Sequence, residues 1–343
     1  MFHRLWRDII EVAAERCDLP RVSLPGSPVK YFPPTHLLWT HAMLKRALML
    51  LAVLAAPAAF ADEAWVTVAM PGNRADETGL GSVDYEFQIM KHEVTVGEYA
   101  DFLNQVACQS DPHQLWVRAM GEHVITDLGQ GGIRKDVPQC IVRHGTPGAW
   151  TYLPVPERES CPVFFVTFFS AVRYANWLHN DRQQALTESG AYDLSRTDKV
   201  ERSAKARVWL PSENEWYKAA YFQPEAHGGP VGNYWKFPLS TDQTPVRADP
   251  GSELTNAACF SRGFGGIVPV GSYPNARSPW GALDMGGNVW EWTDTIVFGS
   301  KRVLRGGSAP HNVEKLQSNV RTNASPERWY PDTGFRLARS VGN

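Results

Sequence analysis

The chain has no excess of either charge, with 34 Lys and Arg against 36 Asp and Glu in 343 residues. A protein that grips nucleic acid needs a basic field to neutralise phosphates, and this balance supplies none. No long run of like charge is present either, which sets aside an acidic or basic interaction tail. Cysteine is scarce, five in all, and no two stand in a CxxC pair, so no ribbon-type metal site is signalled. Gly129, Gly131 and Gly132 lie among polar and charged residues without a strand leading in or a helix leading out, so no phosphate-cradling nucleotide loop is expected. Long apolar runs are missing as well. The clearest, Ala47 to Ala56, is too short to span a bilayer comfortably.

That short run has its own meaning. Lys45 and Arg46 precede it, and Ala59-Phe60-Ala61 follows with small residues where a signal peptidase reads. This order predicts a leader over 43–61, cleaved before Asp62, and a periplasmic or secreted protein with no membrane span after cleavage. Met43 is the natural start of such a leader. Residues 1–42, which contain Pro28, Pro33 and Pro34, are therefore expected to be an extension from a start assigned too early. The remainder, 62–343, shows no linker and no fixed-period repeat, and at 43% apolar and 20% charged over the whole chain it reads as one globular domain. It holds Cys108, Cys140, Cys161 and Cys259. In an oxidising compartment four cysteines allow two disulfides in three connectivities; four buried thiols is the alternative.

Glycine and proline, 28 and 25 in all, recur through the second half and keep periodic segments short. A strand is expected over Tyr85 to Val94, ending at Thr95. There Thr95 and Glu98 have capping-box spacing, and Tyr99, Phe102 and Leu103 form a buried helical face. Thr167 or Ser170 starts a second helix through Ala171, Tyr174, Ala175 and Leu178. Ser212 with Glu215 starts a third, with Trp216, Ala219 and Ala220 inward. The class is α+β, with few short helices and strands and much irregular chain.

Five segments then stand out in order: Ile89 to Thr95, Arg207 to Trp216, Leu283 to Thr293, Arg302 to Ser308 and Gly334 to Arg339. In that order and spacing they resemble the formylglycine-generating enzyme, or sulfatase-modifying factor, family from about residue 84 to 340. The resemblance implies that family's fold, related to C-type lectins. Read from the residues alone, Trp290 and Trp292 share one side of an extended segment, and Arg305, Arg321 and Arg336 tie loops through several acceptors. The turn from Asp284 to Glu291 places two carboxylates around exposed carbonyls, a hard-oxygen set suited to calcium. The resemblance assigns a structural calcium ion there to Asp284, Gly287, Val289 and Glu291.

The family's oxidation of a sulfatase cysteine uses two copper-binding cysteines after the Arg-Gly-Gly-Ser motif, and this chain has no cysteine beyond Cys259. His311 stands where the first is expected, and the second falls near Leu316. Copper-dependent formylglycine formation is therefore not expected. His311, Glu314 and Ser308 are the catalytic candidates, with His311 as general base or as ligand of an unidentified redox metal and Glu314 as its partner. Trp290, Arg321 and Trp329 are the candidates for a cleft or substrate contact. The expected function is an exported oxidoreductase acting on a peptide or small secondary metabolite. The alternative is a non-catalytic binding or structural protein that meets an envelope partner.

Overall fold

The computed structural model describes residues 64–122, 137–183, 186–195 and 200–342. The predicted extension 1–42 and the leader 43–61 lie outside the described residues.

Two four-stranded sheets organise the described chain. The first is built from β1 (Trp65–Val68), β2 (Phe87–Met90), β5 (Val208–Trp209) and β12 (Ala338–Ser340), in the order β1-β2-β12-β5. Here the last strand lies antiparallel on β2, with Ala338 opposite Ile89, so the two ends of the domain close on each other. A hairpin joins β3 (Ile141–Thr146) to β4 (Ala149–Pro154), and β6 (Val246–Arg247) pairs with β7 (Ala257–Ala258). The second large sheet contains β8 (Trp290–Val297), β9 (Lys301–Arg305), β10 (Thr322–Ala324) and β11 (Thr333–Gly334), in the order β10-β9-β8-β11.

The helices start where their capping residues predict. In α1 (Val96–Val106) the Thr95 side chain accepts the Glu98 N–H while Glu98 returns to the Thr95 N–H. After the short α2 (Arg118–Gly121), α3 (Phe168–His179) is capped by Thr167, which accepts the Ser170 N–H. In α4 (Glu213–Tyr221), Ser212 and Glu215 complete a second capping box. Each cap contributes about 1 kcal/mol, while the buried faces do the larger part. Tyr99 and Phe102 of α1 meet Tyr174 and Trp177 of α3 in an aromatic core that Phe335 completes. The predicted strand over Tyr85 to Val94 is shorter than expected. It stops at Met90, where the Met90 and Lys91 carbonyls turn to accept hydrogen bonds from Arg336.

The disulfide expectation is corrected by the structure: none joins Cys108, Cys140, Cys161 and Cys259. Cys140 Sγ donates to the Phe164 carbonyl at 3.9 Å and Cys259 Sγ to the Gly266 carbonyl at 3.2 Å. Burial pushes both of these thiols up to about 12, which makes them inert structural groups. Among the described residues no helix is long and apolar enough to cross a membrane.

Candidate functional site

Strand β8 presents alternate residues to opposite faces. Trp290 and Trp292 share one face, while Glu291 takes the other. The turn before the strand depends on Gly287 at φ +89°, where a Cβ would lie 2.2 Å from the Cys259 carbonyl oxygen, so only glycine fits. After β9 the chain bends again at Gly307, φ +78°, and this bend carries Ser308 into the interior.

Ser308 lies at the centre of the first polar cluster. Its hydroxyl is 2.6 Å from Asp332 Oδ2 and 2.6 Å from His311 Nδ1. His311 Nδ1 is also 3.5 Å from Asp332 Oδ2 and 3.3 Å from Trp290 Nε1. Ser308 and Asp332 are buried, whereas the His311 side chain is 39% exposed. Burial raises the Asp332 carboxyl above its ordinary range, opposed by the Ser308 hydrogen bond and the His311 charge.

These distances allow two proton arrangements on one set of heavy atoms. In one, a protonated Asp332 donates to Ser308 and Ser308 donates to a bare Nδ1, which can also accept the Trp290 N–H, since indole only donates. In the other, Nδ1–H donates to Ser308, Ser308 donates to an ionised Asp332, and the Trp290 N–H gives up its bond to Nδ1. The hydroxyl thus passes a proton between acid and imidazole, while Nε2, with no hydrogen-bond partner among the described residues, serves the open side. Such a site can take up or release a proton at Nε2.

The other candidates are placed differently. Glu314 accepts from Asn312 Nδ2 at 2.9 Å on the surface, and among the described residues no hydrogen bond joins it to His311. Arg321 donates to Glu213 Oε2 at 2.7 Å, and Arg305 holds the other oxygen of that buried carboxylate. Trp329 lines a cleft of about 410 Å³ and packs edge-on against Phe165. Asp332 was not singled out in the sequence, because a lone Asp in a Pro-Asp-Thr turn carries no spacing signal.

A second cluster surrounds Arg336, which is fully buried. Its guanidinium binds both oxygens of Glu291, at 2.7 and 2.8 Å, and the carbonyls of Met90, Lys91 and Leu283. Trp216 Nε1 donates to Glu291 as well. Asp284, at φ +55°, accepts the Gly271 N–H at 2.6 Å. Glu93 is wholly buried, 3.9 Å from Arg336, and neither of its oxygens has a hydrogen-bond partner. Burial lifts the Asp284 carboxyl to about 6 and lifts Glu93 well above its usual range, with the Asp284 charge adding to the Glu93 rise. Three buried carboxylates thus face one guanidinium, and Glu93 is the member that sequence reasoning missed. It follows Lys91 and His92, so one more polar residue there carried no signal. Among the described residues no three His, Cys, Asp or Glu side chains converge as a closed metal site.

Comparison with known proteins bears on this framework. The chain is similar to "Hercynine oxygenase" of Mycolicibacterium smegmatis, 30% identical over 203 residues, covering 52% of this chain and 38% of the relative. It is also similar to "Inactive C-alpha-formylglycine-generating enzyme 2" of Mus musculus, 31% identical over 144 residues, covering 39% of this chain and 43% of that one. The chain thus spans less than half the length of these curated relatives. Among solved structures it is similar to CarF, with a TM-score of 0.48, 21% identity and coverage of 81% of this chain and 98% of that one. PvdO from Pseudomonas aeruginosa gives a TM-score of 0.44, 21% identity and coverage of 81% and 91%. Residues 75–341 match the sulfatase-modifying factor enzyme 1-like domain, and with most of its length so matched the chain belongs to the FGE-sulfatase family.

Proposed function

We propose that this is an exported family member that acts on a peptide or small secondary metabolite through proton transfer at His311, and that it is not a copper-dependent formylglycine generator. The observation that carries the reading is the Ser308 hydroxyl held at 2.6 Å from both His311 and Asp332, with the second imidazole nitrogen open. A base of this kind suits an oxidoreductase that must remove a proton from its substrate; the electron acceptor is not one of the side chains in this cluster. A redox metal at this position would have His311 and Asp332 as protein donors and no third among the described residues. Proton transfer needs no such metal.

The Arg336 cluster supports a structural calcium ion. Glu93, Asp284 and Glu291 carry three formal negative charges against the one positive charge of Arg336, and the Glu93 oxygens lack any donor. A buried carboxylate without a partner is costly, and a divalent cation would cancel the excess. Asp284, Glu93 and the Gly287 and Val289 carbonyls would hold it, with Glu291 supporting from its place on Arg336.

The test is incubation of purified protein with a cysteine-containing sulfatase peptide and copper, and separately with peptide and metabolite pools, read by mass spectrometry. The expected result is no formylglycine from the first and a conversion in the second that falls steeply in His311→Ala and in Asp332→Asn while both variants stay folded. Formylglycine product, or conversion indifferent to both substitutions, overturns the reading. The second reading is a non-catalytic binding protein, supported by similarity to a relative whose name calls it inactive. It predicts retention of a ligand or envelope partner without conversion, unchanged in His311→Ala.

A further inference from the structure

We infer that the groove beside Trp329 receives a carboxylate carried on a flat apolar group, with Arg143 as its anchor. This rests on the reading above in one respect, since it names the handle by which a substrate is held. Its evidence, however, is separate. Two adjoining hollows of about 410 and 340 Å³ share Gln114, Val117 and Trp329, and together they have the size of a small-molecule site. Trp116, Val117, Phe169 and Trp329 supply apolar wall.

Glu327 lines the second hollow, and among the cationic groups of the groove one residue stands out. Arg118 is bound to Glu122 at 2.5 Å, Arg173 holds Glu188 at 2.6 and 2.8 Å, and His113 lies 3.3 Å from that same carboxylate. Asp111 turns its two oxygens to the N–H groups of Leu115 and Trp116, at 2.8 and 2.9 Å. Arg143 has no carboxylate partner among the described residues. Its guanidinium carbon lies 4.1 Å from the Trp116 ring centre and 4.3 Å from that of Trp150, and the Tyr152 hydroxyl is its polar neighbour. The hairpin explains the placement: Arg143 is opposite Tyr152, and Trp150, two residues along, shares its face.

Aromatic faces hold a guanidinium in position but cannot satisfy its five N–H groups. The in-plane edge left over matches a planar carboxylate, which accepts two parallel hydrogen bonds. The indoles of Trp116 and Trp329 line the same groove and offer surface to a flat apolar group on the same ligand. Three residues after Trp329, Asp332 supports His311, so one short segment contributes to both the holding groove and the proton-transfer cluster.

Calorimetric titration with indole-3-acetate tests this, with indole-3-acetamide as the uncharged control. Saturable binding is expected for the acid and at least about tenfold weaker binding for the amide, because a charge-assisted bidentate pair is lost. Arg143→Gln should weaken the acid by a similar factor at unchanged melting temperature, Arg143→Lys by less, and His311→Ala not at all. No saturable binding of the acid, equal binding of acid and amide, or full affinity in Arg143→Gln overturns the inference. Binding that survives while His311→Ala alters no conversion would instead discard the proton-transfer reading and leave this one standing.

Discussion

Trp290 and Glu291 are neighbours on one strand, yet they belong to two unlike polar centres. Glu291 points to Arg336, where its oxygens accept hydrogen bonds from the guanidinium and from Trp216 and solvent is excluded. Trp290 points to His311, whose ring is 39% exposed and keeps one nitrogen open. The first centre binds the chain to itself: Arg336 alone bridges strand β2, the Leu283 turn and β8. The second is supported from beneath by Ser308 and Asp332 and is left free on top. Closure gives stability, whereas an unfilled bonding position gives chemistry.

The comparison breaks most visibly at Arg336. Arg336→Met leaves Glu291 buried without its guanidinium partner, which costs about 3–5 kcal/mol and lowers the melting temperature by on the order of 10 °C. Should that variant not fold, Arg336→Met with Glu291→Gln is expected to recover part of the loss. A change of only about 1 kcal/mol in the single variant would show that the closed centre is not the support it looks to be.

Cation removal should act on the same centre and spare the open one. Dialysed protein is expected to retain about one calcium ion per chain, to melt several degrees lower in chelator and to lose the difference in Glu93→Gln. Absence of the ion together with an unchanged melting curve would count against the assignment.

The open centre should show the reverse pattern. Ser308→Ala and Asp332→Asn each remove buried hydrogen bonds worth about 1 kcal/mol, yet conversion should fall by roughly 10²–10⁴. Equal damage to stability and conversion would merge the two centres into one structural network.

A separate pH dependence is expected further along the same strand. Asp294 is packed near Tyr192 and Arg202, and burial raises its carboxyl to about 7. The native state then keeps a proton that the unfolded chain has already released above an ordinary carboxylate pKa of about 4. Stability should therefore fall as pH rises from about 4 to about 7. In Asp294→Asn that part of the slope should vanish, and melting curves across this range will show whether it does.

Much of the framework was legible before folding. Thr95 with Glu98 and Ser212 with Glu215 act within one helical turn, so their spacing alone announces the cap. The roles of Arg305 and Arg336 as loop ties, and the shared side of Trp290 and Trp292, also follow from chemistry and strand alternation. The β3–β4 hairpin and α2 carried weaker local signals and were not anticipated. The pairing of Arg321 with Glu213, which comes from a helix 108 residues away in sequence, carried no local signal.

Sequence by itself determined the family framework, the capped helices, the glycine-bent turns and the lack of any cysteine after Cys259, because each is expressed in local residue order. Only tertiary structure decided which carboxylate faces which cation. Asp332 reaches Ser308 across 24 residues and Arg336 reaches Glu291 across 45, while Glu93 lies in the interior with no donor to its oxygens. Such pairings arise when distant segments are packed out of water, where burial sets the strength of each charge and no spacing along the chain records it.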